Sequence, residues 1–382
     1  MPGGGTAVRK LRKGTARRDR GGRTGFTTGA NSAAAALAAT LGLVHGRVPE
    51  AVRCRLPNGQ EVEFAIVEGA VAGFWARAVS IKDAGDDPDA THGAHLTAEV
   101  RRITGGRGRV RLRGGAGVGV VTRPGLGLPV GGPAINPVPR RNIMENVRRA
   151  GAPLLAAGAD LEVTLSVPGG EEMARRTLNA RLGILHGISI LGTTGIVRPY
   201  STAAFRAAVV QAVQVAARQG ETEVVFTTGG RTERFAMAQL PGLPEACFVQ
   251  MGDFVKAAFR TAIACRMVRI TLGAMVGKLT KMGQGLSVTH AWKAPVDRGL
   301  LAECAAGVGA PPALVAEIRA AETARFAAER LADLGLTVPF HRALALRAME
   351  SLRDCHPGPY RLAVLVCDPE GRLIARVEEQ DG

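Results

Sequence analysis

Apolar and polar positions first alternate in short runs, over residues 52–56, 61–67, 75–81, 95–103 and 109–113, each of which predicts a strand. Pro57-Asn58-Gly59 separates the first two runs and predicts a hairpin turn. Ahead of them lies an alanine-rich stretch that Asn31 or Ser32 can cap and Gly42 can end, so a helix precedes the strands. This part reads as α+β and mostly antiparallel. From about residue 158 the pattern changes. Strand-like runs at 161–167, 183–191, 223–227, 247–251 and 268–272 alternate with helical patterns near 201–218, 253–264 and 274–283. That alternation predicts an α/β domain with a mainly parallel sheet. Amphipathic helices over 312–334 and 337–354 follow, then a hairpin of 361–367 and 372–378 around Asp368-Pro369-Glu370-Gly371. The expected organisation is a disordered basic tail (1–23), an α+β domain with a Gly-rich loop (24–145), an α/β domain (146–300), and C-terminal helices with a hairpin packed on the body (301–382).

Composition changes this picture in three places. With 382 residues, two domains are the default expectation. Aromatic residues are only 4% while glycines number 50, which argues against stacking platforms for single-stranded nucleic acid and for loops where backbone approaches a ligand. The net charge of +16 is uneven. Residues 1–23 carry eight cations against Asp19, and the body that remains is still basic, as an anionic substrate would require. The tail is followed by no helix-turn-helix, zinc-finger or aromatic-basic pattern, so no nucleic-acid partner is expected. No apolar run is long enough to span a membrane and no signal-peptide core follows the basic N-terminus, so a cytoplasmic protein without membrane contact is expected. The six cysteines show no CxxC spacing, and no metal site is expected.

Candidate chemistry collects in a few segments. Between Gly105 and Gly132 there are 11 glycines, and the GxGxG run is followed by prolines that forbid the helix a dinucleotide fingerprint must open onto. The segment reads instead as an ordered ligand-binding loop ending in Arg140-Arg141. Later strand-like runs end in small polar turns, among them Gly192-Thr193-Thr194-Gly195, Thr227-Thr228-Gly229-Gly230 and Gly252-Asp253, where open α/β sheets bind ligands. The stretch from Lys82 to Gly93 packs four aspartates and a histidine after a strand. It reads as a metal site, as Asp89 and His92 serving hydrogen bonding and proton transfer at a substrate, or as an acidic turn. Lys278 and Lys281 share a helix face suited to an anion, with His290 beyond them. The anchors of phosphoryl transfer, zinc proteolysis and serine hydrolysis are missing from the sequence.

Together these stretches resemble one family. TGFTTG (24–29), KDAGDDPDATHG (82–93), GVGVVTRPGLGLPVGGPAINPVPRR (117–141), PGGEEMARRTLNARLGILHGISILGTTGIVRPYS (168–201), GDF (252–254) and GKLTK (277–281) are similar, in order, to the CbiD family of cobalt-precorrin-5B C(1)-methyltransferases. The resemblance implies transfer of a methyl group from S-adenosylmethionine to ring carbon C-1 of a cobalt-bearing corrinoid, giving cobalt-precorrin-6A in anaerobic cobalamin biosynthesis. Cobalt would arrive with the substrate, and neighbouring enzymes of the pathway are expected partners. On this reading Asp89 and His92 orient or deprotonate the ring, and Gly192, Thr193, Thr194, Gly195 and Thr227 hold the methyl donor. Thr27, Thr28, Asp86, Asp87, Arg123, Arg140, Arg141, Arg198, Lys278 and His290 meet the carboxylate-rich substrate. The chain departs from the family's usual pattern at Asn31 (a cysteine), Leu37 (a lysine) and the turn Thr228–Arg231, which lacks the usual Pro-Gly.

Overall fold

The computed structural model describes residues 22–289 and 295–379. The alanine-rich run forms the helix Thr28–His45, opened by the Thr27 hydroxyl accepting from the Ala30 amide and closed by Gly46 in the left-handed region (φ 77°). Ala33–Ala36, Ala38 and Ala39 are all fully buried, so this helix is enclosed on nearly every side. Methyl side chains let it pass closely between a five-stranded sheet and the helix Pro137–Ala150. That sheet has the order Glu68–Ala72, Trp75–Ile81, His95–Ile103, Asp160–Ser166, Val110–Gly114. It is antiparallel except for the last pair. The hairpin Ala51–Arg55/Glu61–Ala65 stands beside it, turned at Gly59 as expected.

The second sheet has the order Phe248–Gln250, Glu223–Thr227, Arg269–Ala274, Arg361–Cys367, Leu373–Glu378, with the first four strands parallel and the last antiparallel. Numbered along the chain, its strands lie 2-1-3-4-5, so the order reverses between Glu223–Thr227 and Arg269–Ala274. Helices Thr202–Arg218, Val255–Ala264, Val276–Gly283 and Thr337–Cys355 share one core with the sheet face carrying Val224, Phe226, Ile270 and Leu272. The helix Gly230–Gln239 covers the opposite face, over Val225 and Phe248.

Strand pairing departs from the sequence expectation in particular places. The run at 161–167 forms Asp160–Ser166 of the first sheet, and its alternating burial is that of a strand half-open to solvent. The run at 183–191 stays outside the five-stranded, mainly parallel sheet. His186 takes a left-handed conformation (φ 66°) and splits it into Ile184–Leu185, pairing with Val120–Val121, and Gly187–Ile188, pairing with Gly117–Val118. The final hairpin completes the second sheet, and the helical pattern at 312–334 divides into Pro312–Ala320 and Ala324–Ala332.

Cys54, Cys247, Cys304 and Cys367 are buried free thiols. Among the described residues, no group of His, Cys, Asp and Glu is placed to hold a metal ion, and no helix is long and apolar enough to cross a membrane.

Candidate functional site

The strand Trp75–Ile81 delivers the acidic segment. Lys82, just past its end, is 1% exposed and donates to Asp89 Oδ2 at 2.6 Å. Asp89 Oδ1 accepts from the Thr91 amide (2.7 Å) and hydroxyl (2.6 Å), so both oxygens are engaged. Burial raises the Asp89 pKa, but the Lys82 and Thr91 hydrogen bonds carry it below the ordinary carboxylate value. Asp89 therefore anchors the loop and is a poor base. His92 is exposed, its Nδ1 accepts from the Ala84 amide at 3.1 Å, and its Nε2 meets no hydrogen-bonding partner among the described residues. Asp83 and Asp86 both engage Arg23, whose guanidinium holds the Asp83 pKa down. Asp87 accepts from the Tyr200 amide at 3.0 Å, and Tyr200 carries a left-handed backbone (φ 54°) that a bulky residue adopts only under constraint.

The same loop system gathers most of the other expected residues. Thr28 Oγ1 accepts from the Leu191 amide (2.9 Å) and donates to the Ser189 carbonyl (3.1 Å), while the Gly29 amide reaches the Leu191 carbonyl. A Cβ on Gly192 would lie 2.4 Å from Thr27 Oγ1, so only glycine lets this turn close onto the helix start. Gly192–Gly195 thus packs against Thr27 and Thr28 and lies outside the parallel sheet, where a turn closing a parallel strand was expected. Thr193 and Thr194 are exposed, and Gly195 is buried against Leu56. Arg140 and Arg141 open the helix whose Pro139 touches Gly29, and Arg198 follows the short strand paired with Gly25–Phe26. None of these arginines has a carboxylate partner among the described residues. Arg123 turns instead toward Gln219 (3.4 Å).

A second group sits at the carboxyl ends of the parallel strands. Thr227 ends its strand completely buried, its hydroxyl without a hydrogen bond. The helix Gly230–Gln239 begins at Gly229 with no side-chain cap, and a Cβ on Gly229 would meet nothing within 4 Å. Asp253 follows the neighbouring strand and is held through Oδ1 by Lys278 and by the Thr289 hydroxyl (3.0 Å). Burial and the charge of Lys281 lower the Lys278 pKa. His290 lies outside the described residues.

Residues that sequence reasoning passed over join the two groups. Arg181 binds Glu233 through both oxygens (2.6 and 3.1 Å), and Gln250 donates to Glu233 at 2.6 Å. Glu233 lies in the first turn of Gly230–Gln239 and is 3% exposed. Phe205 and Phe254 stack at 5.6 Å beside Gly252. The ARRTLNARLG stretch signalled Arg181, but nothing local in the sequence named its partner.

Residues 15–199 match the family model described as CbiD, and residues 288–378 that described as CbiD, C-terminal domain. The cobalt-precorrin-5B C(1)-methyltransferase of Dechloromonas aromatica (strain RCB) is 70% identical over 374 residues, covering 97% of this chain and 95% of the relative. The chain belongs to the CbiD family. Within that family, the cobalt-precorrin-5B C(1)-methyltransferase of Methylococcus capsulatus (strain ATCC 33009 / NCIMB 11132 / Bath) is 59% identical, covering 96% of each chain. A solved cobalamin biosynthesis protein from Archaeoglobus fulgidus is 27% identical with a TM-score of 0.38, over 68% of this chain and 79% of its own. At the departures from the CbiD pattern, Asn31 is buried with Nδ2 on the Thr27 carbonyl (3.0 Å) and Oδ1 accepting from Ser80 (3.1 Å), and Leu37 is a core residue. In this chain those positions do structural work.

Proposed function

We propose that this chain methylates cobalt-precorrin-5B at C-1, with S-adenosylmethionine as donor, to give cobalt-precorrin-6A in the cytoplasmic, anaerobic assembly of cobalamin. The observation that carries this is the 70% identity, over 97% of the chain, to a relative bearing that name. When bound, the donor supplies an electrophilic methyl group. A C–C bond forms from the ring's electron pair as the C–S bond breaks, its electrons remaining on sulfur in S-adenosylhomocysteine.

Such an in-line displacement needs alignment and exclusion of water more than it needs a nucleophilic side chain. The loops around Thr27–Gly29, Gly192–Gly195 and the Gly117–Arg141 segment suit the corrinoid. They offer backbone that approaches closely, Arg140, Arg141 and Arg198 for its peripheral carboxylates, and the free Nε2 of His92. His92 is the group we assign to the ring, with Lys82, Asp89 and Thr91 as its positioning frame. The carboxyl end of the parallel sheet suits a nucleoside, since it joins a bare helix start to an acidic side chain and an unsatisfied hydroxyl.

The test is mass spectrometry of cobalt-precorrin-5B incubated with the protein and S-adenosylmethionine. A gain of one methylene unit with equimolar S-adenosylhomocysteine is expected. Corrinoid that binds and is recovered unchanged in mass overturns the proposal in favour of a carrier.

A further inference from the structure

Asp253 follows Phe248–Gln250, which flanks Glu223–Thr227 on the side away from the reversal of strand order between Glu223–Thr227 and Arg269–Ala274. In open sheets of this kind ligands settle in the crevice at that reversal. The first strand leads through Thr227-Thr228-Gly229 into the uncapped start of Gly230–Gln239, a ten-residue helix. Its first amides have no intrahelical acceptor and no side-chain cap, and a Cβ on Gly229 or on Gly277, at the start of the neighbouring Val276–Gly283, would meet nothing within 4 Å. The Thr228 amide is already bonded to Thr232 Oγ1 (3.0 Å), which fixes the turn without covering the helix end.

Observations independent of the helix start point to a ligand. Thr227 is 0% exposed with an unpartnered hydroxyl, at the last paired position of its strand opposite Gly273, the place from which the two chains turn to opposite faces of the sheet. Lys281 is 6% exposed, with no hydrogen-bond or carboxylate partner among the described residues, one helical turn behind Lys278. Lys278 and Thr289 both grip Oδ1 of Asp253, while Oδ2 has no hydrogen bond among the described residues. A carboxylate held by one oxygen, with the other free, on the second strand after a glycine turn is the arrangement that accepts a ribose hydroxyl pair.

We infer that this crevice is the nucleoside site of the methyl donor. Asp253 Oδ2 accepts from the ribose hydroxyls, Lys278 and Thr289 act as positioning residues, and Lys281 faces the donor's carboxylate. This rests on the methyltransferase reading and moves the donor from Gly192–Gly195, which then belongs to the corrinoid loops.

The experiment measures the dissociation constants of S-adenosylhomocysteine and its 2′-deoxy analogue by titration calorimetry, with no corrinoid present. Wild type is expected to prefer the ribose form. Asp253→Asn is expected to weaken S-adenosylhomocysteine roughly 10-fold or more, as for a lost charged hydrogen bond, and to bind both ligands alike. Thr289→Val, which leaves the carboxylate in place, is expected to fall between them, and Thr194→Val to match wild type. If wild type binds S-adenosylhomocysteine and Asp253→Asn and Thr289→Val bind both ligands as it does, the site is wrong and the methyltransferase reading stands. Loss at Thr194→Val alone returns the donor to Gly192–Gly195. If wild type binds neither ligand, both readings fall.

Discussion

Lys82 and Asp89 show how much of the candidate chemistry is spent on holding a loop. The pair is enclosed on the lysine side, while Asp89 keeps 24% of its side chain in solvent. Asp89→Asn is expected to cost about 2 kcal/mol at neutral pH, less than the ~3–5 kcal/mol of breaking a fully buried pair. The folded-state pKa of Asp89 is depressed, so this stability is complete above the ordinary aspartate value near ~3.9 and is lost as pH falls through the lower folded value. Urea titrations should therefore show a constant gap between wild type and variant from about pH 5 to 8 that closes in acid. A gap that instead widens in acid would contradict the assignment. The run of aspartates was legible in the sequence as a cluster, but Lys82 was not, because a lysine at a strand end reads as solvent-facing. The thiols are likewise settled by burial. Cys54 and Cys247 are pushed up to about 12, and Cys304 and Cys367 to about 11, so they stay protonated and do not compete for an electrophilic methyl group.

At the level of elements, the backbones of Gly117–Val118 and Gly187–Ile188 pair with no room for a side chain. A Cβ on Gly187 would stand 2.2 Å from the Gly117 carbonyl oxygen, and one on Gly117 would stand 1.9 Å from that of Val167. Gly187→Ala must push backbone apart, and is expected to lower stability by about 3 kcal/mol. Chemical denaturation checks this, and a loss within experimental error would mean the strands are free to separate. Runs with clear turn residues, such as the hairpin at Pro57-Asn58-Gly59, were legible from sequence. The run at 183–191 was not, since its apolar content reads as one strand and only the backbone at His186 breaks it. Asp160–Ser166 carried its own signal in the alternation of Leu161, Val163 and Leu165, which belongs to a half-exposed sheet rather than a doubly covered one.

Across the whole molecule, the loops proposed for the corrinoid and the parallel sheet are tied, among the described residues, by polar contacts between distant parts of the chain. Arg181 and Gln250 converge on Glu233, Arg218 reaches the Gly125 carbonyl, and Tyr200 meets Asp87. Contacts across such a seam are between residues far apart in the chain, which is why single-sequence patterns do not reveal them. Glu233→Gln weakens the clamp without emptying it. It is expected to lower turnover roughly 10-fold while leaving the dissociation constants of corrinoid and S-adenosylhomocysteine within about 2-fold, because misalignment costs rate rather than binding. Equal loss in binding and turnover would make the clamp structural only. The parallel sheet also has a consequence for biosynthesis. Arg361–Cys367 pairs directly with Arg269–Ala274, yet residues 275–360 separate them. At ~5–20 residues per second a ribosome needs roughly 4–17 s to make that stretch. Throughout, a nascent strand bearing Ile270 and Leu272 keeps an open edge. Soluble yield in a foreign host is then expected to rise with chaperone cover during those seconds.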